Sequence, residues 1–164
     1  MKKILAILPT YNEKENIEFL IDSIKKISNV DILIVDDNSP DGTAELADML
    51  CQKYDNVILK KRSGKLGLGT AHIEGIKYSI DNNYDYVITM DSDRSHDPKY
   101  LPAIIEGMEN ADIVIGSRYV SGGDTLNWPL VRRVLSKCSN YFINFFLNLK
   151  VNDCTSGYRC YRTS

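Results

Sequence analysis

Apolar residues fall into two alternating rhythms along this chain. Ile4–Leu8, Ile32–Val35, Val57–Leu59, Tyr86–Met90 and Ile113–Ile115 are short, continuous and largely β-branched. That is the signature of strands buried on both faces. Between them lie amphipathic segments. Ile17, Leu20, Ile21, Ile24 and Ile27 recur at helical spacing, and Asn12 with Glu15 three residues on reads as a capping box. Ser39-Pro40-Asp41-Gly42 is a turn by residue chemistry and leads to a helix carrying Leu46, Met49 and Leu50. A third helix runs from about Thr70 to Ile80, and a fourth opens at Asp97-Pro98, a cap followed by a first-turn proline. Strands alternating with helices through short connections predict one α/β domain over residues 1–164, a mostly parallel sheet flanked by helices.

The last helical pattern, about Pro129 to Leu149, is of another kind. Leu130, Val134, Cys138, Phe142, Phe145 and Leu149 form one apolar stripe, broadened by Val131, Leu135, Tyr141 and Phe146. Arg132, Arg133, Ser136, Lys137, Asn140 and Asn144 occupy the rest. Two readings stand: a core helix with a solvated polar face, or a helix whose apolar stripe meets a membrane surface or a further C-terminal segment. In the second, the basic residues face an anionic group.

Composition narrows the class. At 164 residues, 43% hydrophobic and 26% charged, the chain has the makings of one ordinary globular domain. A net charge of −2 argues against a nucleic-acid binder. The four cysteines form no C-x-x-C and only two histidines accompany them, so no zinc-type set is visible and reduced thiols of a cytosolic protein are expected. Met1-Lys2-Lys3 resembles the start of a signal peptide, but the apolar run ends at Pro9, too soon for an h-region. No stretch is long enough to span a bilayer. The chain closes on the polar Arg162-Thr163-Ser164 with no closing element and reads as part of something longer.

The candidate chemistry lies where predicted strands end. Val87-Ile88-Thr89-Met90 leads into Asp91-Ser92-Asp93. Side chains alternate along a strand, so Asp91 and Asp93 point the same way. Neighbouring carboxylates repel unless a cation lies between them, and a hard divalent ion completed by substrate phosphates meets that need. Alone, such a pair is equally an acidic turn in water; its position beyond a strand end, where α/β sheets bind ligands, favours a site. After the first strand, Tyr11 is placed to stack a base and Glu13 to accept from its N–H edge, or Glu13 merely complements a helix dipole. After the second, a carboxylate of Asp36-Asp37 suits ribose hydroxyls, while the other can cap the turn. Ser63 to Thr70 is glycine-rich but matches neither phosphate-loop pattern, since His72 holds the third glycine's place. Arg118, in Gly116-Ser117-Arg118-Tyr119, is a fork suited to phosphate or an ordinary loop arginine. Together these features outline a nucleotide-diphosphate site along one sheet edge.

Six motifs occur in order: Leu8-Pro9-Thr10-Tyr11-Asn12-Glu13, Asp36 to Thr43, Gly67-Leu68-Gly69-Thr70-Ala71, Asp91 to Pro98, Gly116-Ser117-Arg118-Tyr119 and Asp153-Cys154-Thr155-Ser156-Gly157-Tyr158-Arg159. In these the chain resembles dolichyl-phosphate mannose synthases and related polyprenyl-phosphate glycosyltransferases of glycosyltransferase family 2. The resemblance implies a GT-A fold, Mg²⁺ or Mn²⁺, a nucleotide-sugar donor, foremost GDP-mannose, and a polyprenyl phosphate acceptor (dolichyl or undecaprenyl). It implies that Pro9, Tyr11, Glu13, Val35 and Asp37 hold the nucleoside. Asp91, Ser92 and Asp93 would hold donor and metal, with Ser95 completing the metal shell, and Arg118, Arg132 and Ser136 would hold the acceptor phosphate. Asp91, Asp93, Arg118 and Arg132 would carry the catalysis. The acceptor is already an anion, so one inverting displacement needs no general base, and Asp153 is given a structural role. The implied location is the cytoplasmic face of a membrane, reached through further C-terminal segments or the acceptor lipid.

Two positions depart from the pattern: Ser92 stands where alanine is usual, and Arg94 where an apolar residue is expected. Nothing in Tyr11, Glu13 or Asp37 excludes uracil, which keeps UDP-glucose as the alternative donor; oligomeric state is not legible. A response-regulator receiver domain, with Asp91 as phospho-acceptor, would leave the first thirty residues and Asp93 without a role. A sugar nucleotidyltransferase would need a glycine-arginine loop near the N-terminus that this chain lacks.

Overall fold

The structure, a computed structural model, describes residues 2–123 and 128–163. Strands β1 (Ile4–Thr10), β2 (Asp31–Asp36), β3 (Val57–Lys61), β4 (Tyr86–Thr89), β5 (Ile113–Ile115) and β6 (Arg159–Arg162) form one sheet in the order β3-β2-β1-β4-β6-β5. The first four run parallel, and β6 lies antiparallel between β4 and β5. The helices are α1 (Lys14–Ile27), α2 (Thr43–Lys53), α3 (Leu68–Asp81), α4 (Leu101–Gly107), which follows a 3₁₀ turn at Pro98–Tyr100, and α5 (Leu130–Leu147).

The alternation of side chains along β1 creates two apolar layers. Ala6 and Leu8 join one cluster with Ile17, Leu20, Ile21 and Ile24 of α1, Ala47 and Leu50 of α2, and Leu101 and Ile104 of α4. Leu5 and Ile7 face the other way, with Leu33, Val35, Val87 and Ala71 of α3. Each fully buried Leu or Ile in these layers contributes about 1.5–3 kcal/mol. The parallel strands consequently all present their carboxyl ends, and the loops that follow them, along one edge.

Four expectations need correcting. The segment from Arg159 to Arg162 is a strand: β6 pairs with both β4 and β5 close to the end of the chain. β3 and β5 are edge strands, not strands buried on both faces: only Val57 of β3 is buried, and Ile113 of β5 remains 54% exposed. The capping box does not form. Asn12 has φ of 62°, and the N-cap is Glu13, whose side chain makes no cap bond. Thr43 Oγ1 instead accepts from the Glu13 amide at 3.0 Å, and Asp41 Oδ2 from that of Lys14 at 3.2 Å. Partners distant in sequence thus satisfy the open amides of α1.

The fourth correction concerns α5. Only Asn140 of this helix is buried, whereas Val131, Tyr141 and Phe145 are 70%, 75% and 71% exposed. The core-helix reading is overturned: Ser136, Asn140 and Asn144 of the polar row turn toward the protein, Arg132, Arg133 and Lys137 stay exposed, and the apolar stripe turns away.

Gly75 sets how closely α3 packs on β1. A Cβ there would come within 2.6–2.8 Å of three Ile7 side-chain atoms. Gly75→Ala is expected to lower stability by about 1–3 kcal/mol through overpacking. Urea unfolding would read this as a lower midpoint; an unchanged midpoint would mean that Ile7 yields freely.

Candidate active site

β4 delivers Asp91 to the sheet edge, where its carboxylate is only half satisfied. Oδ1 is buried without a hydrogen-bond partner, and Oδ2 lies 3.7 Å from His96 Nε2. The Asp91 amide donates to His96 Nδ1 at 2.9 Å, which places the imidazole proton on Nε2, facing the carboxylate. Burial pulls the His96 pKa below its ordinary value against the opposing pull of Asp91, so the ring is neutral at pH 7. It stacks on Tyr158 with 5.0 Å between centroids. Asp93 is exposed and its Oδ1 accepts from the Ser95 amide at 2.9 Å. Partial burial pushes its pKa up, but hydrogen bonds from Ser95 outweigh that and hold it below the usual range.

These residues fit a hard divalent cation. The unpartnered Asp91 oxygen is an acceptor without a donor, and the Asp93 carboxylate and Ser95 hydroxyl on the loop that follows are further oxygens of the kind such an ion takes. Among the described residues no group of three or more His, Cys, Asp or Glu gathers to hold a metal, so the protein offers a partial shell. Mg²⁺ and Mn²⁺ accept such a shell when water and phosphate oxygens complete it.

Around this edge the remaining predicted residues have distinct tasks. Ser92, 3% exposed, donates to the Pro9 carbonyl at 2.9 Å and stitches the ends of β4 and β1 together. Its hydroxyl therefore has a partner, which explains why serine is accepted there. Tyr11 carries the Lys65 ammonium 3.9 Å from its ring centroid, and Glu13 Oε2 accepts from Asn16 Nδ2 at 2.8 Å. Val35 is fully buried in the core, so any contact it makes with a nucleoside goes through its backbone. Asp36 caps the turn, accepting from the Ser39 amide at 2.9 Å and hydroxyl at 2.6 Å. Asp37 faces inward: its Oδ2 accepts from the Gly67 amide at 2.8 Å, and Oδ1 lies 3.0 Å from Arg62 Nε, off the line of that N–H. Arg62, 6% exposed, also donates to Thr70 Oγ1 at 2.6 Å. Sequence reasoning missed Arg62; the signal was a basic residue just past the end of β3, beside the aspartates that end β2. Arg94, the unexpected residue, donates to the Glu15 carbonyl at 2.9 Å and lies 4.7 Å from the Phe19 ring centroid.

A second group assembles beyond β5. Arg118 donates through Nε and Nη2 to the two oxygens of Asp153, both at 2.7 Å, and through Nη2 to Thr155 Oγ1 at 2.6 Å. Ser136 Oγ accepts from the Tyr119 hydroxyl at 2.8 Å. Trp128 lies against both arginines, with Arg118 Cζ 4.7 Å and Arg132 Cζ 4.0 Å from its ring. The polar row of α5 builds the floor. Asn140 Oδ1 accepts from the Cys154 amide at 2.5 Å, and Asn144 exchanges bonds with both backbone groups of Val151 at 2.7 and 3.2 Å. Sequence reasoning also missed Trp128, the single tryptophan, which stands two residues before α5 begins.

The segment Asp153–Gly157 joins the two groups. Thr89 Oγ1 donates to the Gly157 carbonyl at 2.7 Å, and a Cβ on Gly157 would lie 3.4 Å from Asp91 Oδ2. Its glycine thus lets the segment approach the carboxylate.

Burial alone would raise the Asp153 pKa, yet the bonds and charge of Arg118, aided by Thr155, lower it from 3.8 to about 2. A depressed folded pKa adds stability above the unfolded value and loses it as pH falls toward the folded one. Between pH of about 4 and about 2 the protein should therefore lose about 2 kcal/mol from this group. Asp153→Asn should flatten that part of a pH series of urea midpoints. Identical slopes for the two proteins would refute the pairing.

With this geometry in view, the likenesses to known proteins gain meaning. Residues 5–164 match the family described as Glycosyl transferase family 2. The chain is 40% identical over 161 residues to undecaprenyl-phosphate mannosyltransferase of Micrococcus luteus, covering 98% of this chain and 66% of that one. It is 42% identical over 164 residues to polyprenol monophosphomannose synthase of Mycolicibacterium smegmatis, covering 98% and 62%. The chain thus spans just under two thirds of the length of these relatives. In fold it is similar to TarS 1-349 of S. aureus, with a TM-score of 0.63, 21% identity and 98% and 47% of the two chains covered. It is also similar to the mannosyltransferase PcManGT of Pyrobaculum calidifontis in complex with GDP-Man and Mn²⁺, with a TM-score of 0.51, 23% identity and 56% and 27% covered. The fold is the GT-A fold, as the resemblance implied, and the chain belongs to glycosyltransferase family 2.

Proposed function

We propose that this chain binds both substrates of a metal-dependent, inverting mannosyltransferase that moves mannose from GDP-mannose to a polyprenyl phosphate. One observation carries the reading: the unpartnered buried oxygen of Asp91 sits across the Asp153–Gly157 segment from a pair of arginines. The names of the Micrococcus and Mycolicibacterium relatives support the acceptor class, and the GDP-Man and Mn²⁺ complex of the Pyrobaculum neighbour supports the donor.

On this reading Mg²⁺ or Mn²⁺ held by Asp91, Asp93 and Ser95 supplies charge stabilisation to the departing diphosphate. The chain's own residues do the rest. Tyr11 offers its ring to the guanine, which displaces Lys65 from that face toward the phosphates. Glu13 keeps Oε1 for the base edge. Asp37 shapes the nucleoside pocket from behind by tethering the Gly67 loop. Arg118 commits Nε and Nη2 to Asp153 and Thr155 and presents Nη1 to the acceptor phosphate, with Arg132 and the Ser136 hydroxyl. The acceptor arrives as an anion, so no residue has to remove a proton, and holding it in line behind the anomeric carbon is the main task. One displacement inverts that centre. The outward apolar stripe of α5 lies along the cytoplasmic surface of the membrane that holds the acceptor. No helix among the described residues is long and apolar enough to cross it, and the attachment proposed is interfacial.

Calorimetry is expected to show GDP binding in the presence of Mn²⁺, weaker binding without it, and weaker binding of UDP. Asp93→Asn should abolish the Mn²⁺-dependent gain in GDP binding and mannose transfer to polyprenyl phosphate, with the circular dichroism spectrum unchanged. Undiminished transfer by that variant would end the proposal, and tighter binding of UDP would replace the donor. A chain carrying Phe142→Ser and Phe145→Ser should partition to anionic vesicles at least about ten-fold more weakly. Equal co-sedimentation would remove α5 from the membrane.

A further inference from the structure

Trp128 has no part in the chemistry described so far, yet its surroundings are distinctive. Two guanidinium groups lie against one indole, at 4.7 and 4.0 Å. Like charges so placed would repel, and the negative face of the ring draws both in. The two arginines are not equivalent. Asp153 immobilises Arg118, whereas among the described residues no carboxylate forms an ion pair with Arg132. Trp128 is then the group that fixes Arg132 at a set distance from Arg118.

The same residue bounds a cavity of about 490 Å³ with a chemical gradient along its walls. Arg118, Arg132, Ser136 and Thr155 form a cationic, hydrogen-bonding end. Trp128 with Val131 and Leu135 forms an apolar wall. Val131 and Leu135 are 70% and 62% exposed and belong to the outward stripe of α5, so the wall runs out of the cavity onto that surface. Such a site suits an anion with hydrocarbon attached directly to it. A sugar phosphate or inorganic phosphate would fill the cationic end and leave the apolar wall in water.

We propose that Trp128 is the specificity-determining residue for the acceptor: the indole spaces Arg118 and Arg132 for one phosphate monoester and carries the first isoprene units of the chain on its free surface. This rests on the acceptor half of the function proposed above. It goes further in assigning the choice of a lipid phosphate over a soluble one to one side chain outside the predicted site.

Because the chain has a single tryptophan, indole emission reports on this position directly. Farnesyl phosphate titrated into the chain should shift the emission to saturation. Inorganic phosphate should require at least about ten-fold more for the same shift, and farnesol should give none. In transfer assays, Trp128→Ala should raise KM for the polyprenyl phosphate about ten-fold, with kcat and donor KM within about two-fold. Trp128→Phe should recover most of the loss. Emission unmoved by farnesyl phosphate, or moved equally by inorganic phosphate, would overturn the assignment, and so would an alanine variant whose acceptor KM is unchanged. GDP binding with Mn²⁺, measured on the same sample, separates the two proposals. If GDP fails to bind while farnesyl phosphate saturates the emission, the donor reading falls and Trp128 keeps its role; the reverse result removes Trp128 alone.

Discussion

A carboxylate with no exposed surface needs a permanent counter-charge, and Asp153 finds one in Arg118. Much else is arranged around that pair. Arg118 brings the loop after β5 to the segment that follows α5. Asn140 and Asn144 bind the backbone of that same segment, and Gly157, four residues beyond Asp153, lies against Asp91. The distance between the arginine group and the strand-end carboxylates is therefore set by one buried ion pair and a short stretch of chain. Losing Arg118 would leave the Asp153 carboxylate fully buried without compensation.

The two groups differ in sign, and that difference describes the work. A diphosphate cannot approach Asp91 and Asp93 without a cation between them, whereas a phosphate monoester is drawn to Arg118 and Arg132 unaided. On the proposed function, two anionic substrates would therefore have separate landing places on the chain. His96 stays neutral between them, its Nδ1 committed to the Asp91 amide, and serves to hold the Asp91 backbone in place.

Much of the fold was legible because buried parallel strands write themselves as continuous apolar runs, and β1, β2 and β4 do so, while the shorter run of β3 marks a strand at the sheet edge. β6 was not legible. Of Arg-Cys-Tyr-Arg only Cys160 is fully buried, so the segment lacks an apolar run and is made a strand by its neighbours β4 and β5. The capping box failed because Thr43 and Asp41, remote in sequence, satisfy the amides a local cap would have met. In α5 the period was legible and the direction was left open between two readings, of which the fold keeps the one with the apolar stripe outward. Helical spacing says which residues share a face and nothing about which face turns inward. Within the site, the resemblance named the carboxylates and arginines, and the fold gathers them into two groups joined by the Asp153–Gly157 segment. Strand position alone could not separate Asp36, which caps a turn, from Asp37, which tethers a loop, and only the resemblance chose Asp37. Arg62 and Trp128 escaped because their roles arise from neighbours brought together only by the fold.

The reversed seating of α5 alters how its positions bear change. In most helices the hydrocarbon side is the intolerant one and the hydrophilic side drifts freely. Here Ser136, Asn140 and Asn144 are fitted to particular backbone and hydroxyl groups, so even a glutamine in place of an asparagine would misalign them. The phenylalanines and leucines opposite touch little of the protein and are interchangeable with other greasy residues. Selection on this helix would guard its amides and let its aromatics wander.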